Sequence, residues 1–302
     1  MSLLLLLNEL SYQEVKARRE EVSEALTALV ELLRRIRQYR RDVSLVTEAG
    51  FFDLVIGDGY SLREWAGDGR NRDRVRVIRG MGNRAPFRAV MADDEGSDAE
   101  YFHEGRPAAG LGAAHLLAGL ALSLRLAACW DTTELTIIRR RLVDDGALVD
   151  DEVEVRHACS PDHVPGHRQW FVESALARIH TPAALWEARE DIFPHLRFLP
   201  RVAEDLNALP SAGWFDPVKE RLAELEKSAA DWRGDPSVPL QWQSHITPDS
   251  DTRKELSRFT DLDGASYLFD WHARFTPGAG RLHFRIDKEN HMLVVAYIGR
   301  KL

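Results

Sequence analysis

Apolar and polar positions follow two different rhythms along the first fifty residues. Five consecutive leucines, Leu3–Leu7, have the length and composition of a buried strand. Apolar residues then recur at spacings of three, four and seven between Tyr12 and Arg41, which predicts a long amphipathic helix capped by Ser11. The stretch Val43–Thr47 predicts a second strand. Strand, helix and strand in this order predict a βαβ unit with a parallel pair of strands.

The middle of the chain carries signals of both strands and helices. Thr133–Val143 and Glu152–His157 are rich in β-branched residues and flank a turn at 144–146, which predicts a hairpin. Residues 165–227 are mostly helical in pattern and are divided by prolines, and residues 234–239 have the composition of a linker.

Two further segments restrict the class of fold. Residues 91–106 are acidic and polar, which predicts a loop, and Gly110–Leu124 is apolar and rich in small residues. The Gly-Leu-Gly at its start is not followed by the third glycine of a dinucleotide site, and no clear strand precedes it. These features exclude a Rossmann-type site.

The last fifty residues show the clearest alternation in the chain. Three strands are expected at Ser266–Phe275, Gly280–Asp287 and Met292–Gly299, with turns at 276–279 and 288–290. The sequence therefore predicts an α+β protein with two domains. A large mixed α/β region, residues 1–235, precedes a small antiparallel β-meander domain, residues 240–302.

Charge and composition restrict the cellular compartment in which the protein is expected. The whole chain carries a net charge of −8, yet its segment from Arg253 to Leu302 has nine Lys or Arg against six acids, hence +3. The two cysteines, Cys129 and Cys159, do not make a disulfide framework, which fits a reducing compartment. The leucine-rich start lacks the basic residues and the cleavage site of a signal peptide, and no run is long enough to cross a membrane. We therefore expect a soluble cytoplasmic protein.

The basic and imidazole side chains of the terminal strands are the leading candidates for chemistry. Alternation places His272 and Arg274 on one face, and it does the same for Arg281, His283 and Arg285 on the next strand. Tyr297, Arg300 and Lys301 follow on the third. Cleavage of RNA by 2′-hydroxyl attack needs a general base, cations at the phosphate and an acid for the leaving oxygen. Noncatalytic anion binding and a plain solvated face are the alternatives.

The same segment resembles the terminal hairpins of RelE/ParE-type toxins. The similar pieces are Arg281-Leu282-His283-Phe284-Arg285 and the closing Ile298-Gly299-Arg300-Lys301-Leu302. RelE-like members of that family are ribosome-dependent mRNA endonucleases, and ParE-like members act on gyrase instead. Family toxins are small, stand-alone and basic, with helices before the sheet, whereas about 240 residues precede the segment here.

The resemblance implies a toxin-like or antiphage-defence protein that acts on RNA as a metal-independent endoribonuclease without a cofactor. By this resemblance the basic set comprises Arg274, Arg281, Arg285, Tyr297 and Lys301, to which the residue pattern adds His272 and His283. The expected partners are RNA or the ribosome, further protein subunits or a second copy of the chain. The alternative is a noncatalytic, nucleic-acid-binding subunit of a larger defence complex.

A second basic cluster extends from Arg70 to Arg88. Arg76 and Arg79 are spaced to share a helical face, and Arg84 follows a glycine-containing turn. Together with Arg300, these residues are candidates for binding the phosphates of a nucleic acid. The alternative is surface charge paired with neighbouring aspartates.

The string HACSPDHVPGH contains four possible metal ligands. They are His157, Cys159, His163 and His167, all of types that zinc accepts. Their spacing does not match a well-defined zinc finger, so a metal-dependent enzyme at this loop is a third hypothesis. The alternative is a loop of hydrogen-bonded histidines beside a buried thiol.

Overall fold

Helices and strands are mixed throughout the chain, so the α+β class is confirmed. The computed structural model describes residues 2–91, 99–143, 146–243, 246–249, 254–276 and 278–302. The chain divides into two compact units, Met1–Arg168 and Gln169–Leu302. Parts of the expected loop at 91–106 and of the expected turns at 144–146 and 276–279 lie outside the described residues.

The first unit contains ten strands and five helices among the described residues. Its strands are β1 Leu3–Leu7, β2 Val43–Val46, β3 Val55–Ile56, β4 Tyr60–Ser61, β5 Asn83–Arg84, β6 Glu100–His103, β7 Arg106–Pro107, β8 Leu120–Leu122, β9 Glu134–Leu142 and β10 Leu148–Ala158. Its helices are α1 Arg19–Tyr39, α2 Leu62–Gly67, α3 Arg72–Arg79, α4 Phe87–Met91 and α5 Ala109–Leu116. A further helix, α6 Arg168–Leu176, begins at the last residue of this unit.

Eight of these strands form one mixed sheet in the order β5-β2-β1-β8-β10-β9-β6-β7. The pairs from β5 to β10 are parallel, and those from β10 to β7 are antiparallel. All five leucines of β1 are buried. Strands β2 and β8 cover both edges of β1, and α5 packs on the face of Leu4 and Leu6. The expected parallel pair of β1 and β2 and the hairpin of β9 and β10 are both present.

The first long helix begins later than its apolar pattern predicts. It starts at Arg19, where the side chain of Glu21 accepts a hydrogen bond from the backbone of Arg18. The predicted cap at Ser11 is wrong because the Ser11 hydroxyl donates to the carbonyl of Asn8 and accepts from the amide of Leu124. Ser11 therefore ties the end of β1 to the segment after β8.

The second unit follows α6 with three more helices and seven strands among the described residues. The helices are α7 Pro182–Ile192, α8 Val202–Asn207 and α9 Phe215–Gly234. The strands are β11 Leu196–Phe198, β12 Ile246–Pro248, β13 Arg258–Thr260, β14 Ser266–Leu268, β15 Trp271–Phe275, β16 Gly280–Asp287 and β17 Met292–Arg300.

A five-stranded sheet in the order β11-β17-β16-β15-β12 is the centre of this unit. β11 is parallel to β17 and the other neighbours are antiparallel, so the terminal meander is present. The expected strand 266–275 is divided, because β14 leaves the sheet and pairs with β13 in a separate ribbon. One face of the sheet, with Leu282, Phe284 and Val295, packs against helices α7 to α9.

β17 contains one extra residue relative to β16. His283 pairs with Tyr297 and Phe284 pairs with Val295, so Ala296 is a β-bulge. Ala296 and Tyr297 consequently lie on the face away from the helices, whereas Val295 and Ile298 belong to the helix-facing core. The bulge therefore places the Tyr297 ring beside His283.

The boundary between the units differs from the expected one at residues 235–240. Leu185, Leu206 and Leu222 belong to the same core as Phe284. The helices of residues 182–234 therefore complete the C-terminal unit. No helix in the part of the chain that the structure describes is long and apolar enough to cross a bilayer.

Candidate functional site

Two adjacent strands bring the predicted histidines together. In the antiparallel pair of β15 and β16, His272 lies opposite His283 and Arg274 lies opposite Arg281. Alternation puts all four on the face away from the helices, because their neighbours Ala273 and Leu282 belong to the helix-facing core. The imidazole rings lie with their centroids 5.6 Å apart.

The face that carries these histidines is covered, which corrects the expectation of a wet surface. His272 is 7% exposed and His283 is 3% exposed. The edge strand β12 pairs with β15 and brings Asp249 over the rings. The hydroxyl of Ser257 donates to the Asp249 carboxylate and holds it there.

One buried carboxylate serves both imidazoles. Nδ1 of His272 lies 2.9 Å from Oδ1 of Asp249, and Nδ1 of His283 lies 3.4 Å from Oδ2. Neither Nδ1 is aligned for a regular hydrogen bond with the carboxylate. Nε2 of His272 lies 3.1 Å from the Thr247 hydroxyl, and His283 bonds to the backbone of Phe269.

Burial controls the protonation of this pair. It lowers the pKa of His272, and it lowers the pKa of His283 to about 4, in both cases against the attraction of Asp249. Both rings are therefore largely neutral at neutral pH. A neutral imidazole is the form that accepts a proton in general base catalysis.

Cationic side chains border the same cavity, which has a volume of about 250 Å³. Arg274 and Lys301 are exposed, and Arg281 is half-buried and donates to the carbonyl of Gly280. The amide of Lys301 donates to the carbonyl of Ala279, which fixes the chain beside β16. The cavity thus combines two neutral imidazoles, one carboxylate and three cations.

Three predicted site residues lie outside this cavity. Nε of Arg285 donates to Asp261 at 3.0 Å, and Arg285 borders a separate cavity of about 420 Å³. The hydroxyl of Tyr297 donates to the carbonyl of Arg300 at 2.8 Å, and its ring stacks on Phe259. Arg285 and Arg300 are therefore not brought together with the histidine pair, and Tyr297 lies beside His283 without lining the cavity.

Three residues that organise the pair, Asp249, Thr247 and Ser257, carry no recognisable signal in the sequence. Asp249 is one of several acids between residues 249 and 255, and no spacing distinguishes it from the others. The strand that carries it, β12, is a three-residue edge strand with a proline, a type that has little pattern of its own. The polar composition of this segment is the only sequence feature that points to Asp249.

The second basic cluster is a charged surface of the first unit. Arg76 forms an ion pair with Asp73 at 3.2 Å, and the Arg79 guanidinium lies 5.5 Å from the ring centroid of Phe52. Arg84 is exposed on β5, at the edge of the large sheet. These contacts fit the alternative of locally paired surface charge.

The four-ligand set of the HACSPDHVPGH string is wrong. His157 uses both ring nitrogens, one at 2.7 Å from the Ser123 hydroxyl and one at 2.8 Å from the carbonyl of Thr132. Nε2 of His167 bonds to the carbonyl of His157 at 2.9 Å. Both rings are buried and are committed to these hydrogen bonds within the fold.

Cys159 and His163 instead meet Asp131, which lies outside the HACSPDHVPGH string. Nε2 of His163 lies 3.1 Å from Oδ1 of Asp131, and Sγ of Cys159 lies 3.7 Å from the same oxygen. Burial, reinforced by the charge of Asp131, raises the pKa of the Cys159 thiol to about 11. The thiol is therefore protonated at neutral pH and is a poor nucleophile.

Fold and site together define an α+β protein with a histidine–aspartate cavity bordered by cations. Comparisons with protein-family models, with curated proteins and with solved structures found no match to this chain.

Proposed function

We propose that the second unit binds RNA and cleaves it without a metal ion in the cavity of His272 and His283. The observation that carries the proposal is the placement of two neutral imidazoles around one carboxylate, beside Arg274, Arg281 and Lys301. A phosphodiester is an anion, and guanidinium groups bind phosphate oxygens in a forked geometry. The cavity therefore supplies both the charge and the proton-transfer groups that the reaction needs.

The reaction assigns a role to each group. One imidazole takes the proton of the ribose 2′-hydroxyl, whose oxygen attacks the adjacent phosphorus. Arg274, Arg281 and Lys301 stabilise the negative charge that develops on the phosphate oxygens. The second imidazole, in its protonated form, gives a proton to the departing 5′-oxygen. Asp249 lies beside Nδ1 of both rings and favours the protonated form of each.

The biological setting follows from the resemblance to RelE/ParE-type toxins. Helices α7 to α9 precede the terminal meander within the second unit, in the order that the resemblance implies. We propose a toxin-like or antiphage-defence role in which the second unit acts on RNA alone or on the ribosome. The first unit would then regulate the protein, or it would assemble it with further protein subunits or with a second copy of the chain.

Burial of the histidines favours a second candidate, a noncatalytic RNA-binding subunit. The ring of His272 also contacts Thr247, and that of His283 also contacts the backbone of Phe269. Under this candidate the imidazoles and Asp249 only shape the cavity. The cations then hold the phosphate backbone without cleaving it.

Incubation of the purified chain with end-labelled RNA, with and without ribosomes and always with a chelator, separates the two candidates. If the histidines act in acid–base catalysis, His272→Asn and His283→Asn each lower the cleavage rate about a hundredfold or more. Arg274→Gln lowers both cleavage and RNA affinity. His180→Gln, at an exposed histidine of the same unit, retains full activity.

Three outcomes distinguish RNA cleavage, RNA binding without cleavage, and the absence of any RNA function. Binding without cleavage by the unaltered chain under every condition favours the noncatalytic subunit. Cleavage that survives in both histidine variants would remove the proposed mechanism. Absence of binding and cleavage together would reject the RNA proposal.

A further inference from the structure

Three side chains of different chemistry converge beyond the carboxyl end of the parallel strands of the first unit. Cys159 follows β10 directly, and His163 lies in the short 3-10 helix Pro161–His167 that comes next. Asp131 follows the 3-10 helix Ala128–Trp130, in the connection after β8. β8 and β10 are parallel neighbours, so their carboxyl ends bring these segments together. Such edges are the usual place for ligands in sheets of this kind.

The spacing of the three donor atoms suits a tetrahedral ion. Zinc bonds of about 2.0–2.3 Å at tetrahedral angles separate a nitrogen from an oxygen by about 3.4 Å and a sulfur from an oxygen by about 3.6 Å. The corresponding separations here are 3.1 Å from Asp131 to His163 and 3.7 Å from Asp131 to Cys159. All three donor atoms lie within 4.8 Å of one another.

We propose that Asp131, Cys159 and His163 form a site for a single zinc ion in the first unit. The donor set consists of one carboxylate oxygen, one sulfur and one imidazole nitrogen, and it selects zinc over magnesium or calcium, which prefer oxygen alone. This site is independent of the RNA cavity and of the chemistry proposed there.

The surroundings fix the ligands and leave one side open. Cys159 is 1% exposed, and the side chain of His163 is also largely shielded, whereas the side chain of Asp131 is 42% exposed. A guanidinium nitrogen of Arg125 lies 2.9 Å from Oδ2 of Asp131 and turns Oδ1 toward the other two ligands. Three protein ligands leave the fourth position, on the solvent side, to water or to another small ligand.

Binding has a defined proton balance and a defined cost. The sulfur–hydrogen bond of Cys159 breaks, a sulfur–zinc bond forms and the proton passes to solvent. His163 ligates through Nε2 and must then carry its own proton on Nδ1. It therefore loses the weak bond, 3.4 Å long, that its Nδ1 accepts from the amide of Cys159.

Titration of the metal-free chain with Co²⁺, followed by displacement with Zn²⁺, tests the proposal. We expect one Co²⁺ per chain, with the near-ultraviolet absorption of a thiolate bond and the visible bands of tetrahedral cobalt. Cys159→Ser and His163→Gln should each weaken the affinity at least tenfold and abolish or alter these bands. Cys129→Ser, at the other and exposed cysteine, should leave both unchanged.

A variant of the exposed ligand guards against loss of the fold. Asp131→Asn keeps the shape of the side chain at a solvent-facing position, so circular dichroism should remain that of the unaltered chain. We expect its Co²⁺ affinity to fall at least tenfold. Absence of a thiolate band, equal binding by Asp131→Asn, or loss of the band in Cys129→Ser would each overturn the site.

Discussion

At the scale of single residues, the second unit is organised by ionisable groups buried close to one another. His272, His283 and Asp249 have little contact with solvent, and the attraction of Asp249 only partly offsets the effect of burial on the two rings. Burying a charge is costly unless a partner of opposite sign lies close to it. The protonation of this trio therefore has consequences for stability as well as for the proposed reaction.

Acid should destabilise the protein through His283. Its pKa of about 4 in the folded chain lies below the ordinary value of 6.5, so the unfolded chain binds a proton first. The free energy of unfolding is highest above pH 6.5 and falls as the pH drops toward 4. In denaturant titrations at stepped pH, His283→Gln should reduce this fall by on the order of 2 kcal/mol. The control His180→Gln should keep the original slope, and an unchanged slope in His283→Gln would contradict the burial of a neutral ring.

The proposed cleavage should have an acidic optimum. One imidazole must be neutral and the other protonated, and burial lowers the pKa of both His272 and His283. The protonated form is therefore already the minor form at pH 6.5 and becomes scarcer as the pH rises, so the rate should fall from pH 5.5 to pH 8 by about tenfold or more. Single-turnover rates on a labelled oligonucleotide measure this, and a rate that rises through the same range would contradict it.

The sequence predicts on which face of a strand a residue lies better than it predicts which residues surround it there. Alternation correctly put His272 and His283 on one face, because side chains in a strand repeat with a period of two. It did not show that β12 and Asp249 cover that face, since this contact joins segments more than twenty residues apart. The same limit explains why Asp131, and not His157, meets Cys159 and His163.

At the scale of elements, periodic segments and the apolar runs of β1 and β2 are predictable from the sequence, whereas several three-residue strands are not. The helix α1 and the hairpin of β9 and β10 span enough residues for their period to be recognised. β8 and β11 have three residues each, too few for any period, and the sheet alone defines them as strands. The late start of α1 arises from a side-chain network around Ser11 that no local pattern encodes.

The start of β16 is packed tightly against the neighbouring strand β15. A Cβ atom added at Gly280 would lie 2.3 Å from the ring of the buried Phe275, its partner on β15. Gly280→Ala should therefore lower the free energy of unfolding by about 1–3 kcal/mol, measured by chemical denaturation. Gly213→Ala in the same unit, whose nearest neighbour would be 3.8 Å away, is the matched control. Equal stability of the two variants would contradict this packing.

At the scale of the whole molecule, the division into units follows the cores and not the composition. The linker-like residues 234–239 suggested a boundary that would separate helices α7 to α9 from the sheet they cover. Leu222 and Phe284 belong to one core, so that boundary would divide it. A change of composition marks an exposed segment, whereas a domain is defined by which apolar residues share a core.

Two fragments of the chain should show which of the two boundaries separates independently folding units. A fragment of residues 169–302 retains the helices and sheet that bury Leu282, Phe284 and Val295, and it should unfold cooperatively on heating. A fragment of residues 240–302 exposes the same side chains and should show neither a cooperative transition nor dispersed amide signals. Thermal circular dichroism and proton NMR measure both. A well-folded short fragment would restore the boundary near residue 240.

The bulge at Ala296 makes the length of the last strand as informative as its composition. Deleting this residue would pair β16 and β17 in uninterrupted register, and every later side chain would keep its face, because Val295, Tyr297 and Ile298 would then simply alternate. Tyr297 would remain beside His283 and Ile298 would remain in the helix-facing core. The last strand thus accommodates one additional codon without reversing the side chains that follow it.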